Sequence, residues 1–435
     1  MEDKKERVSP VHVIKYIAVF AVTAVLLGAC LMLSALIPQS ALRENFHSSA
    51  EILCRRDVFF ELVEGSPESK IDRYADSIEL AIAYSFDSGD PAGSVMRSAY
   101  YHSPDLSENE ALLAAVDKGC EAEREYLRYW HGEAVLVRIA HLFTDIRGMY
   151  IINTVLAAVL YGVLICMLIK RKLYGGAVGI LAALIAAGIW YVPYCLEYAW
   201  VFLMVPIVSI AALHLTFSGH RDKLGIVFLV TGIVANYLDL LTAETVTLTI
   251  PLLLTVYASR MGHTDAKAEL GECRSLCMLW GVGYAGMWIF KWAAASLILG
   301  ENVMPYVEGH ITERMFGGAT KEMTVPATFG RNIGCLVPFS LSSPGIVIGA
   351  MLLIAAVGYT VYMHLRGRVR IHQVLVYLLP GAVPFVRYAV LLEHSYIHFF
   401  FTYRALSASV LALCLIISET VVYGRGNGVR ERKNA

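Results

Sequence analysis

The chain has 435 residues, 57% of them hydrophobic, and a mean hydropathy of +0.57. Soluble domains carry about 45–50% apolar residues, so this composition excludes an ordinary soluble domain and points to a polytopic membrane protein. A formal net charge of −1 argues against nucleic acid as the main partner, and the nine cysteines lack the paired CxxC spacing of a zinc site.

Residues 1–37 read as a short basic tail and a first apolar span at 13–37. That run exceeds the apolar core of a signal peptide, about 7–15 residues, and no convincing cleavage site follows, so the segment is expected to be retained. Residues 38–147 then form a connection with 20 acidic and 11 basic side chains. Within it, "SKIDRYADSIELAIAYSF" (69–86) places Ile71, Ala75, Ile78 and Ile82 on one helical stripe, with Asp72, Asp76 and Glu79 on the next. Ser66-Pro67-Glu68 is a helix-start signal, and Ser69 with Asp72 is an alternative capping box. A greasy stripe beside an acidic one predicts a helix lying on a membrane surface. The acids either cap and solvate that helix or act chemically. A second helix is expected from Glu108 to about His141, with Tyr126, Tyr129 and Trp130 at headgroup level. Asp145 and Arg147 are placed to pair where the second span begins, and Cys54 and Cys120 share this connection and are open to pairing. A connection of this length, with its own amphipathic helices, reads as a folded cap.

Residues 148–423 read as a helix bundle. With the first span there are ten apolar segments: 13–37, 150–169, 174–192, 198–217, 223–240, 243–258, 275–299, 344–364, 371–391 and 398–423. A crossing takes about 20 residues, and two of these are shorter or polar-ended. Basic residues gather in alternate connections: Lys4, Lys5 and Arg7; Lys170, Arg171 and Lys172; Arg221 and Lys223; Arg260, Lys267 and Arg274; Arg366, Arg368 and Arg370; Arg425, Arg430, Arg432 and Lys433 in the tail 424–435. The connections 193–197, 241–243 and 392–397 carry none. Positive charge marks the cytoplasmic side, so both termini are expected there, with 38–147 and 300–343 outside.

Charges inside a membrane are costly and are functional candidates by default. Lys291, Arg387 and Arg404 fall near the outer ends of their segments, beside Glu197, Asp239, Thr242, Glu244, Glu393, His394 and His398. Three uses are open to the cations: buried ion pairs such as Lys291 with Asp239, snorkelling to headgroups, or a cationic pocket for a lipid phosphate or pyrophosphate. Glu393-His394-x3-His398 invites a metal reading, though the HExxH order is absent, and a divalent ion near Asp72 and Asp76 is a further option. "YGGAVG" (174–179) lacks the Lys-Ser/Thr of a phosphate loop, and there is no GxSxG. Any chemistry outside therefore draws on an activated substrate.

A short tail, a first span, a long acidic connection and then a bundle resemble the GT-C superfamily of membrane glycosyltransferases, with the architecture of protein mannosyltransferases and arabinosyltransferases. "IDRYADSIEL" (71–80) stands where such enzymes carry an acidic motif, although here the acids are four apart rather than adjacent. "NYLDLLTAETVTLTIPL", "WIFKWAAA" and "HSYIHFFFTYRAL" are similar to blocks of uncharacterised bacterial members. The resemblance implies an all-α membrane fold and transfer of a sugar from a polyprenyl-phosphate donor to an envelope glycan, lipid or protein acceptor on the extracytoplasmic face. It implies Asp72 or Asp76 as the base, with Lys291, Arg387 and Arg404 holding the phosphate. Glu79, Trp130, His131, Asp239, Glu393, His394 and His398 would line the sugar or acceptor site. A transporter or lipid flippase for envelope precursors is the alternative.

Overall fold

The computed structural model describes residues 10–260, 266–316, 323–336, 343–366 and 371–431. Lys4, Lys5, Arg7, Arg368, Arg370, Arg432 and Lys433 of the basic connections lie outside them. The protein is all-α, with one small two-stranded antiparallel hairpin among the described residues.

After α1 (Pro10–Ala35), the first long connection folds into a cap: α2 (Gln39–Leu53), β1 (Phe59–Glu61), β2 (Lys70–Asp72), α3 (Arg73–Ser85), α4 (Pro91–Arg97), α5 (Glu108–Lys118) and α6 (Glu133–Ala140). The bundle follows: α7 (Ile146–Lys170), α8 (Tyr174–Ala186), α9 (Leu196–Phe217), α10 (Leu224–Leu238), α11 (Val246–Arg260) and α12 (Ala266–Leu299). Then come α13 (Met304–Phe316), α14 (Val325–Gly334), α15 (Ser343–Leu365), α16 (Ile371–Val390), α17 (Leu392–Ile397), α18 (Phe399–Thr402) and α19 (Ser407–Glu431). Each of the ten apolar segments coincides with a helix. Among the described residues five stretches, Val13–Ala35, Ile146–Lys170, Leu196–Phe217, Ala268–Leu299 and Phe399–Glu419, are long and apolar enough to cross a membrane, and the chain is a membrane-embedded protein.

The cap is laid out differently from its sequence pattern. Ser66-Pro67-Glu68 opens only a 3-10 turn, and the chain then runs as β2 before α3 begins at Arg73. Asp72 is the N-cap of α3, its Oδ1 accepting the Ala75 N–H at 2.9 Å. The helix expected from Glu108 to His141 breaks in two. Ser107 and Glu110 close a capping box at its start, and Gly119, in the left-handed region at φ 66°, stops it. Asp145 caps α7 through the N–H groups of Arg147 and Gly148 and accepts from Ser48 Oγ, so its partner is the Arg147 backbone rather than the guanidinium. Cys54 and Cys120 are both free thiols.

The α3 helix does not lie on a surface. It is sunk in the cap, with Leu80 and Ile82 packed beside Leu42, Phe46, Leu112 and Val116, all fully buried. Burying each large side chain contributes about 1.5–3 kcal/mol. Trp130 is buried in the same core and donates its indole N–H to the Met287 carbonyl of α12 at 2.9 Å; it is a cap-to-bundle anchor, not a headgroup-level aromatic. Arg138 of α6, fully buried, donates to the carbonyls of Ser34 (2.9 Å), Ile37 and Ala83. One guanidinium thus serves carbonyls at and just beyond the end of α1 and in the last turn of α3. In the bundle, α10 and α12 cross at glycine: a Cβ on Gly232 would stand 2.1 Å from the Trp280 carbonyl oxygen, and one on Gly283 2.3 Å from that of Leu229.

Candidate active site

Where β2 and the start of α3 meet the N-terminus of α9 and the pair α17–α18, the fold leaves a cavity of about 440 Å³. Its polar lining is Lys70, Asp72, Glu197, His394 and His398; its aromatic walls include Phe59, Tyr74, Tyr126, Tyr129 and Phe400. Lys70 and Asp72 are two residues apart on β2, so both side chains leave the same face of the strand. The Lys70 ammonium lies over the rings of Phe59 (4.6 Å) and Phe400 (4.5 Å). His394 Nε2 bonds the Leu241 carbonyl at 2.8 Å, and its ring packs 4.7 Å from that of His398.

Asp72 is only 3% exposed. Burial raises its carboxyl to about 7, with the charge of Asp76 adding to the rise and the Ala75 N–H opposing it. A carboxyl titrating there is about half ionised at neutral pH, the range in which a general base works best.

The other acids of the α3 stripe do not line the cavity. Asp76 is fully buried and accepts from the Leu196 N–H at 2.7 Å and from Tyr150 OH, joining α3 to the first turn of α9 and to α7. Burial lifts its carboxyl, too, to about 7. Glu79 is buried as well; desolvation, then the charges of Glu133 and Asp76, holds it well above the usual carboxylate range. His131, expected beside the sugar, is buried against Glu133 (3.1 Å) with φ 53°, and burial lowers its pKa.

The three cations expected to hold phosphate are also placed elsewhere. Lys291 donates to the carbonyls of Val95 (3.2 Å) and Met96 (3.0 Å) at the end of α4 and does not meet Asp239. Arg404 donates to the carbonyls of Phe400 (2.9 Å) and Glu68 (3.3 Å). Arg387 pairs with Glu244 at 2.7 Å and donates to Ser395 Oγ and the Leu241 carbonyl. Asp239 accepts from the N–H groups of Leu241 (2.8 Å) and Thr242 (3.2 Å). It thereby holds a turn in which Leu241 takes φ 67°, a region uncommon for a bulky residue. Arg387, Asp239 and His394 thus converge on one strained turn whose Leu240 forms cavity wall. Glu393 opens α17 without lining the cavity. Among the described residues, no three His, Cys, Asp or Glu side chains converge closely enough to hold a metal ion.

Lys70 and Phe59 carry no sequence signal of their own, whereas Glu197, Tyr126 and Tyr129 are marked in the sequence by charge or aromatic character at a membrane face. Lys70 could have been found only by reading 70–72 as a strand, which puts residues i and i+2 on one face. Beside the cavity, and sharing Tyr129 with it, runs an apolar groove of about 590 Å³ walled by Trp288, Ile289 and Trp292 of α12, Ile311 of α13 and Val390. Arg128 lines it next to Tyr129, its guanidinium over the Tyr126 ring at 4.3 Å and bonded to Tyr126 OH and His310 Nδ1. No family model, curated protein or solved structure matches this chain.

Proposed function

We propose that the protein is a membrane glycosyltransferase of GT-C type that takes a sugar from a polyprenyl-phosphate donor on the extracytoplasmic face, with both termini cytoplasmic and about ten crossings. The observation that carries this reading is the position of Asp72: a carboxyl poised near neutrality, in an aromatic-walled cavity, next to an apolar groove with an arginine beside it. Aromatic faces suit the C–H faces of a sugar, and a long apolar groove suits an isoprenoid chain.

In the reaction, the ionised Asp72 carboxylate takes the proton of the acceptor hydroxyl. The acceptor oxygen bonds the anomeric carbon as the bond from that carbon to the phosphate oxygen breaks, and the electron pair leaves with the polyprenyl phosphate. Lys70 and Arg128 are the cations within and beside the cavity able to balance the departing negative charge. Asp76, Arg387 and Asp239 act as positioning residues for the walls.

The test compares lipid-linked sugars, by mass spectrometry, in cells lacking the chain and in cells given back wild type or Asp72→Asn. The donor should accumulate without the protein, disappear with wild type and persist with Asp72→Asn at equal abundance. Full rescue by Asp72→Asn would remove the base assignment. An unchanged donor pool throughout would favour transport over transfer.

A further inference from the structure

A second depression adjoins the same cavity. It is a shallow depression of about 560 Å³ along the β1–β2 hairpin, and it shares Phe59 and Lys70 with the cavity; Phe60, Glu61 and Glu64 complete it. The two approaches differ in character. The groove beside Tyr129 is walled by tryptophan and aliphatic side chains, whereas the hairpin depression carries exposed carboxylates, with Arg56 against the Phe60 ring at 5.1 Å. A rim carrying Arg56, Glu61 and Glu64 is costly to place in hydrocarbon, so it faces water.

We infer that the β1–β2 hairpin is the acceptor entrance, and that the acceptor is an uncharged glycan chain arriving from the aqueous phase rather than a membrane lipid or a protein. This rests on the transferase reading above. Carboxylates at Glu61 and Glu64 accept hydrogen bonds from sugar hydroxyls, beside Phe59 and Phe60, whose ring faces already carry Lys70, Arg56 and Arg73. The same carboxylates repel an anionic lipid headgroup. A three-residue strand presents too short an edge to recognise a protein by strand addition. A chain lying along the hairpin passes Phe59 and Lys70 and ends with its terminal hydroxyl at Asp72, since Lys70 and Asp72 share one strand face.

The test fractionates cells lacking the protein, and cells complemented with wild type or with Glu61→Lys/Glu64→Lys, into solvent-extractable lipid, protein and delipidated polymer. Sugar composition is measured in each. The glycan reading expects one sugar to be missing from the delipidated polymer alone. Wild type should restore it, while the double variant, at equal abundance, restores about tenfold less, as expected for losing two charged hydrogen-bond acceptors. A deficit confined to extractable lipid or to protein overturns the acceptor assignment and leaves the transferase reading standing. Full restoration by the double variant overturns the entrance. No change of any sugar in any fraction removes the transferase reading and this inference with it.

Discussion

At the scale of single residues, Asp72 and Asp76 separate by role although both titrate near 7. Asp72→Asn keeps the N-cap acceptor for Ala75 but cannot take a proton; transfer should fall by about 100- to 10,000-fold, measured as donor turnover in nanodiscs. Asp76→Asn keeps an acceptor for the Leu196 N–H and should retain abundance and most of the activity. Because an ionised Asp76 raises its neighbour, that variant should also shift the acid limb of the activity–pH profile, set by Asp72 near 7, to lower pH. An unmoved limb would place the titration elsewhere. The acid row was legible in the sequence, but its geometry was not: the spacing of Asp72, Asp76 and Glu79 fits an exposed helical stripe, and burial inverts it. Lys291, Arg387 and Arg404 stood out because membrane charges are rare, yet carbonyls, the Ser395 hydroxyl and a single carboxylate, Glu244, take up their hydrogen bonds. The local pattern could not reveal Val95, Met96, Glu68, Leu241 or Glu244 as partners, because they lie far along the chain; only Phe400 and Ser395 are near their cations in sequence.

At the scale of elements, the α10–α12 crossing depends on two glycines whose missing side chains let the backbones meet. Gly232→Leu drives a branched side chain into the Trp280 carbonyl. Protein abundance and melting temperature should both drop, whereas Gly281→Leu, with nothing within 4 Å of its Cβ, should leave both near wild type. Equal behaviour of the pair would show that the helices do not cross there. Helix positions in the bundle were readable from apolar runs, which is why each of the ten segments coincides with a helix. The cap was harder to read. A run such as 108–141 carries no proline, and only two glycines, Gly119 at the end of α5 and Gly132 before α6, mark the break that tertiary packing exploits.

At the scale of the whole molecule, the cap buries two acids, Asp72 and Asp76, that hold their protons to higher pH than the unfolded chain does. Both Asp72 and Asp76 sit well above their ordinary 3.8, so the folded state binds protons that the unfolded chain releases. Their contribution is complete below pH 3.8 and is lost as pH climbs to about 7. The melting temperature in detergent should therefore decline over that interval and level off above it, with a shallower decline in Asp76→Asn. A melting temperature that rises across the same range would contradict the buried, protonated acids.

The Arg138 clasp carries a consequence for synthesis. The guanidinium that serves the Ser34 carbonyl lies 104 residues further along the chain. At about 5–20 residues per second, the ribosome delivers it roughly 5–20 s after Ser34 itself. During that interval the Ser34 carbonyl has only the Ile37 N–H of its own turn, at 3.1 Å, as a partner. The cap therefore closes late, when α6 arrives, and everything between α1 and α6 stays loose until it can lock.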